Sequence, residues 1–260
     1  MIELRTLGAV DLRNADGAEI RAVLAQPKRV ALLVYLAVAR PRGFQRRDVL
    51  LALFWPELNQ PRARAALRKA VHVVRRGLGP GALVSRGDEE LSLDQTALWC
   101  DAAAFEQAVA TRRFGDALEL YRGDFLQGFF VSRAAEFEQW VDRERARLCT
   151  HAATAAWALA DEAALQQEDV SAVGWARRAL AFTPSDEGEL RRLVRLCYRV
   201  GDRAAALQAY EAFAARLLAE YGVRPSAETR ELVEAVKMSR EIRITPPEQR
   251  SARPPPKPAP

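Results

Sequence analysis

Proline and glycine divide the first hundred residues into an order that few folds accept: strands, three helices, then a hairpin. Ile2, Leu4 and Leu7 are apolar near alternate positions, Val10 and Leu12 follow, and Asn14-Ala15-Asp16-Gly17 marks a turn. Ile20–Leu24 is expected to return as a further strand and complete a small antiparallel meander. Pro27 then opens a helix, since its missing N–H has no partner to lose in a first turn. Val30, Leu33, Val34, Ala37 and Val38 follow the three-four spacing of a buried face up to Pro41-Arg42-Gly43. A second short helix is predicted over Arg46–Phe54, with Val49, Leu50 and Leu53 inward, and Trp55-Pro56 ends it. Pro61 begins a third and longer helix to Leu78, stopped by Gly77, Gly79, Pro80 and Gly81. Leu83–Ser85 and Glu90–Leu93, joined through Arg86-Gly87-Asp88-Glu89, read as a hairpin with glycine in the turn.

Beyond residue 100 the pattern is almost wholly helical, with helices predicted at about 101–111, 115–122, 133–167, 169–182, 186–200, 202–221 and 226–238. Gly115-Asp116-Ala117-Leu118-Glu119-Leu120-Tyr121 and Gly201-Asp202 with Ala206-Leu207-Gln208-Ala209-Tyr210 share an Ala-Leu-x-x-Tyr element after a Gly-Asp break. Between them, Ala172, Ala176 and Ala179 lead to Pro184. Small residues let paired helices approach closely and an aromatic ring fills the next gap, which is the logic of tetratricopeptide pairs; an ordinary Ala-rich bundle is the alternative. From Pro246 the chain is rich in proline, and residues 241–260 are expected to form a disordered tail.

Charge separates these regions. The chain of 260 residues carries a formal net charge of +5, yet residues 1–100 hold 16 basic against 10 acidic side chains, whereas 101–240 hold 19 against 22. The basic excess therefore points to a polyanion partner for the N-terminal part alone. A hydrophobic content of 49% excludes wholesale disorder. No run of about 18 uncharged apolar residues could cross a membrane, and Met1-Ile2-Glu3-Leu4-Arg5 does not read as a secretory leader. Three scattered cysteines, with no CxxC pair and only two histidines, give no zinc pattern and fit a reducing cytoplasm.

The third helix concentrates the excess. Arg62, Arg64, Arg68, Lys69, Arg75 and Arg76 occur in it with no acid, while Ala63, Ala66, Leu67, Ala70, Val71 and Val74 form its apolar stripe. Spacings of four, four and three place Arg64, Arg68, His72 and Arg75 on one exposed face. Like charges four apart repel unless a partner neutralises them. A helix fits the DNA major groove, where arginine donates two hydrogen bonds to guanine. Lys28-Arg29 and Arg46-Arg47 begin the first two helices, where phosphate is favoured, and Arg86 is expected to tip the hairpin toward the minor groove or a phosphate. For any one of these arginines, a solvated basic face is the competing explanation.

Pro27-Lys28-Arg29-Val30-Ala31-Leu32-Leu33-Val34-Tyr35-Leu36-Ala37, Leu53-Phe54-Trp55-Pro56, Arg64-Ala65-Ala66-Leu67-Arg68-Lys69-Ala70-Val71 and Arg75-Arg76-Gly77-Leu78-Gly79 together resemble the N-terminal half of SARP-type transcriptional regulators. Tyr121-Arg122-Gly123-Asp124-Phe125-Leu126-Gln127-Gly128-Phe129 and Glu220-Tyr221-Gly222-Val223-Arg224-Pro225 resemble stretches of their bacterial transcriptional activation domain. The resemblance covers about residues 1–237. It implies a mainly α protein: a winged helix of the response-regulator C-terminal type (α+β) over 1–97, then a tetratricopeptide-like helical domain over 98–240. It further implies promoter binding as double-stranded DNA, an activator's contact with RNA polymerase or another protein through the helical domain, and a homodimer on DNA. No receiver domain is expected before the winged helix, and no Gly-x-x-x-x-Gly-Lys-Ser/Thr loop occurs.

No nucleophile–base set stands out, so neither an enzyme nor a cofactor is expected. His151 reads as packed or half-exposed, the tryptophans as packing residues, and Glu136, Glu138, Asp142 and Glu144 as a solvated face. Two other readings remain open: a protein-interaction scaffold with a basic docking patch, and a piece of a longer ATP-regulated sensor.

Overall fold

The computed structural model describes residues 1–238, and the tail expected at 241–260 lies outside the described residues. Two compact units divide the chain, Met1–Thr183 and a second beginning at Pro184.

The first unit begins with strands β1 (Ile2–Arg5) and β2 (Asp11–Arg13), which pair antiparallel as expected. Arg21–Leu24 is then a helical turn, α1, and not a strand. Ile20 and Val23, three apart, turn the same way and pack on Gly77, where a Cβ would stand 2.8 Å from Ile20 Cγ2 and 3.2 Å from Val23 Cγ2. The helical spacing buries both side chains, whereas alternation would have aimed them at opposite faces. Next come α2 (Pro27–Val38), a two-residue strand β3 (Gln45–Arg46), α3 (Arg47–Phe54) and α4 (Gln60–Leu78). Val49 of α3 is exposed, contrary to expectation, and Leu50, Leu51, Leu53 and Phe54 make the inward face instead. The hairpin of β4 (Leu83–Arg86) and β5 (Glu90–Leu93) takes β3 on its other side, giving a sheet in the order β3-β5-β4. Three helices followed by this hairpin make the winged helix.

Strand β6 (Leu98–Cys100) was not legible in the sequence. It pairs parallel to β1, so the first sheet runs β2-β1-β6 and the chain returns to its own beginning. Asp101, the first residue of α5 (Asp101–Ala110), then accepts from the backbone N–H of Thr6 at 2.8 Å, of Leu7 at 2.9 Å and of Ala102 at 2.7 Å, and from the Thr6 hydroxyl at 2.8 Å. Burial pushes the Asp101 carboxyl above its ordinary range against these four donors, which favour the ionised form.

Helices α6 (Phe114–Leu120), α7 (Ala135–Leu165) and α8 (Asp169–Phe182) complete the unit. Gly115-Asp116 lies inside the first turn of α6 and marks no break; the left-handed residue before that helix is Arg112. Ala172, Ala176 and Ala179 of α8 are buried, as are Ala152, Ala156, Ala160 and Ala163 of α7, so small side chains form the seam of this pair. The Tyr121–Phe129 segment lies along the end of β1: Leu126 N–H donates to Thr6 O at 2.8 Å and Gly8 N–H to Asp124 O at 3.1 Å. Gly123 is required there, because a Cβ would stand 3.1 Å from Gly8 Cα.

Two clusters join the winged helix to α5 and α7. Tyr35 and Phe54 meet Trp140 and Phe137, with ring centroids at 4.9 and 5.3 Å. Glu106 of α5, almost wholly buried, pairs with Arg40 at 2.7 Å, Arg42 at 2.5 Å and Arg147 of α7. Glu144, expected on a solvated face, is buried and bound to the same Arg147. Helix α7 turns it inward beside Arg147, which partners both carboxylates.

The second unit contains α9 (Glu187–Arg199), α10 (Arg203–Tyr221) and α11 (Ala227–Met238). Asp186 and Asp202 cap α9 and α10, and left-handed Gly222 closes α10. The Glu187 carboxylate accepts from Ser226 N–H and Oγ and from Thr229 Oγ1. Burial opposes its charge, but these donors outweigh burial and hold Glu187 below the ordinary carboxylate range.

Asp101→Ala strands the buried amides of Thr6 and Leu7 and is expected to destabilise the first unit by roughly 3 kcal/mol. Asp101→Asn, which keeps one acceptor oxygen, should lose less; denaturant unfolding of both variants checks this. Because the folded-state pKa of Glu187 is depressed, its stabilisation is present above the unfolded value of 4.5 and is lost as pH falls through the folded value. The stability gap between the parent chain and Glu187→Gln should therefore shrink on acidification below pH 4.5, as followed by thermal unfolding across pH.

Candidate nucleic-acid interface

Helix α4 starts where Asn59 Oδ1 accepts from Arg62 N–H at 3.2 Å, with Pro61 in the first turn. Ala63, Leu67, Ala70, Val71, Val74 and Leu78 are buried along one side. The 3.6-residue period then leaves an exposed arc. Arg68 and His72 stand at its middle, Arg64 and Arg75 toward one edge, and Arg62, Lys69 and Arg76 toward the other. Among the described residues, Arg62, Arg64, Arg68, Lys69 and Arg76 have no acid within ion-pair distance. Five exposed cations on one face of one helix repel each other and favour any close polyanion.

Arg75 differs from its neighbours. It is half-buried, and its Nε and Nη2 donate to Leu83 O on the hairpin at 3.0 and 2.8 Å, while Nη2 also reaches Ser85 Oγ at 2.9 Å. Arg47, at the start of α3, donates through Nη2 to the same Ser85 Oγ at 3.1 Å. The structure thus draws Arg47 and Arg75 together at the wing. Ser85, the hydroxyl they share, carries no charge or motif by which the sequence could mark it.

The remaining sequence-predicted cations stand around this face. Lys28 pairs with Glu57 at 2.8 Å over the Trp55 ring and holds the Glu57 carboxyl below its usual range. Arg29 donates to Ala22 O at 2.8 Å. With Lys69, these two line a cleft of about 300 Å³ bounded by Trp55, Val131 and Ser132, on the α4 edge away from the wing. Arg46 pairs with Asp48 at 2.7 Å, which raises the guanidinium pKa and lowers that of the carboxyl. Arg86 ends β4 before the Gly87-Asp88-Glu89 turn, lies 3.9 Å over the Phe44 ring and pairs with Glu90 at 3.1 Å. His151 lies apart from this face, half-buried on α7, with its pKa lowered by burial and by Arg147. Among the described residues no cluster could hold a metal ion, and no helix is long and apolar enough to cross a membrane.

The bacterial transcriptional activator domain model matches residues 91–237, more than half of the chain. The chain belongs to that family. Its fold is similar to that of Mycobacterium tuberculosis EmbR, solved in complex with a low affinity phosphopeptide, with a TM-score of 0.63 and 22% identity over 92% of this chain. This chain spans 65% of the length of that one. Among curated protein sequences none matches it.

The close approach of α1 to α4 sets the position of the basic face. Gly77→Ala pushes a methyl into Ile20 and Val23 and is expected to cost about 1–2 kcal/mol despite alanine's better helix propensity. Chemical denaturation checks the sign.

Proposed function

We propose that this chain binds double-stranded promoter DNA sequence-specifically and activates transcription from it. Residues 1–97 are the DNA-binding part, with α4 in the major groove and Arg64, Arg68 and His72 toward the base edges. Lys28, Arg29, Arg46, Arg47, Arg62, Lys69, Arg76 and Arg86 lie along the phosphates on either flank. Residues 98–240 carry activation, through contact with RNA polymerase or another protein, and support a homodimer on DNA. The protein works in the reducing cytoplasm, in keeping with its free cysteines at 100, 149 and 197.

The observation that carries this reading is the set of five exposed cations on α4 without an acidic partner among the described residues. Elsewhere in the winged helix, Lys28, Arg46 and Arg86 are each matched to a carboxylate. A face left unmatched while nearby cations are matched is one whose counter-charge comes from outside.

Binding to duplex DNA should weaken steeply with salt, in proportion to the phosphates neutralised. Arg68→Ala is expected to cost roughly 1–3 kcal/mol on the selected operator and to relax base preference there. Gel-shift titration on operators selected from a random pool measures both. Unchanged binding when Arg64 and Arg68 are replaced together would sink the assignment of α4, and salt-insensitive binding would instead favour a protein-docking patch.

A further inference from the structure

Where α3, α4 and the wing meet, Arg47 and Arg75 converge on one neutral oxygen. Their Nη2 atoms lie 3.1 and 2.9 Å from Ser85 Oγ. A hydroxyl has two lone pairs and one proton. With both lone pairs occupied by guanidinium donors, the Ser85 O–H is left to donate away from them. Arg75 spends Nε and Nη2 on Leu83 O and Ser85, so its Nη1 hydrogens remain unused. Arg47 spends only Nη2, and its buried Nε has no partner. Nη1 of both arginines and Oγ of Ser85 therefore present donors and no acceptor.

Among the described residues neither arginine has an acid within ion-pair distance: Asp48 is bonded to Arg46 at 2.7 Å and Glu90 to Arg86 at 3.1 Å. Two guanidinium groups thus share one uncharged partner at the surface, an arrangement that an oxyanion completes. A guanidinium fork matches a phosphate's paired oxygens, and the serine hydroxyl adds a third donor.

We propose that Arg47, Arg75 and Ser85 form a clamp for a single DNA phosphodiester on the wing flank of α4. The inference rests on the DNA-binding reading and deepens it. Arg75 holds the backbone and fixes register instead of reading a base, because its bonds to Leu83 O tie the guanidinium back to the wing. Ser85 becomes a DNA-contacting residue. The opposite edge of α4, with Lys69 beside Lys28 and Arg29, faces the other phosphate strand, so the groove is held from both sides with Arg68 and His72 between.

The test uses the full chain, a random-sequence duplex and the selected operator, with affinity measured across a salt series and thermal unfolding run on every variant. Arg47→Gln with Arg75→Gln should lower affinity for both duplexes by the same factor and reduce the slope of log affinity against log salt by about 1. Ser85→Ala, which removes only a neutral donor, should lower affinity by about tenfold on both duplexes and leave the slope unchanged. If the double variant unfolds early, Ser85→Ala and Arg47→Gln alone decide, since neither touches the Leu83 bonds. Salt-sensitive DNA binding that these variants leave intact, or a change of base preference in place of a uniform loss, overturns the clamp. Absence of salt-sensitive binding by the parent chain overturns the DNA reading beneath it.

Discussion

The carboxylate of Asp101 is the contact on which the first unit depends. It ends the parallel strand β6, begins α5 and satisfies the amides of Thr6 and Leu7 where β1 stops. A buried carboxylate is costly unless its oxygens are satisfied, and buried amides are costly unless they find acceptors. At this point each side resolves the other's problem, across 95 residues of sequence. The contact places the beginning of the chain beside the segment that leaves the winged helix, and so sets where α5 runs.

Helix α5 then carries Glu106 to a second junction. There Arg40 and Arg42, from the loop after α2, meet Arg147 from α7 around one buried carboxylate. The Tyr35, Phe54, Phe137 and Trp140 rings add an apolar contact between the same elements. The winged helix therefore shares a core with the helices that follow. Packing unity extends through Thr183, so the functional division proposed at residues 97 and 98 lies inside a continuous structural body.

Electrostatics separates the two sides of the winged helix. Inward, arginines meet buried glutamates. On α4, they meet water, and only Arg75 among the six bases of that helix is drawn away, toward the wing. That difference divides a row of similar residues into those left exposed and one tied to a backbone carbonyl. Sequence spacing alone could not make the division, because Arg64 and Arg75 fall on the same edge of the exposed arc. What distinguishes Arg75 is the proximity of Leu83, fixed by the hairpin's seat against α4.

The first two strands, the succession of three helices and a hairpin, the limits of α2, α4 and the long helices, and the segregation of charge were legible in the sequence, because each is a local property. Periodicity shows which side of a helix is apolar, Pro and Gly show where it stops, and charge counts need no coordinates. Tertiary structure decided the rest. Arg21–Leu24 became helical, and Gly77 of α4 offers a seat for Ile20 and Val23, three apart. Val49 faced water because α3 is oriented by Leu50, Leu53 and Phe54. Strand β6 formed because β1 was there to pair with it, Glu144 was buried beside Arg147, and Ser85 acquired two guanidinium partners from different helices. The packing on Gly77, the pairing of β6 and the sharing of Ser85 each turn on a neighbour distant in the chain, and a neighbour of that kind leaves no mark on local pattern.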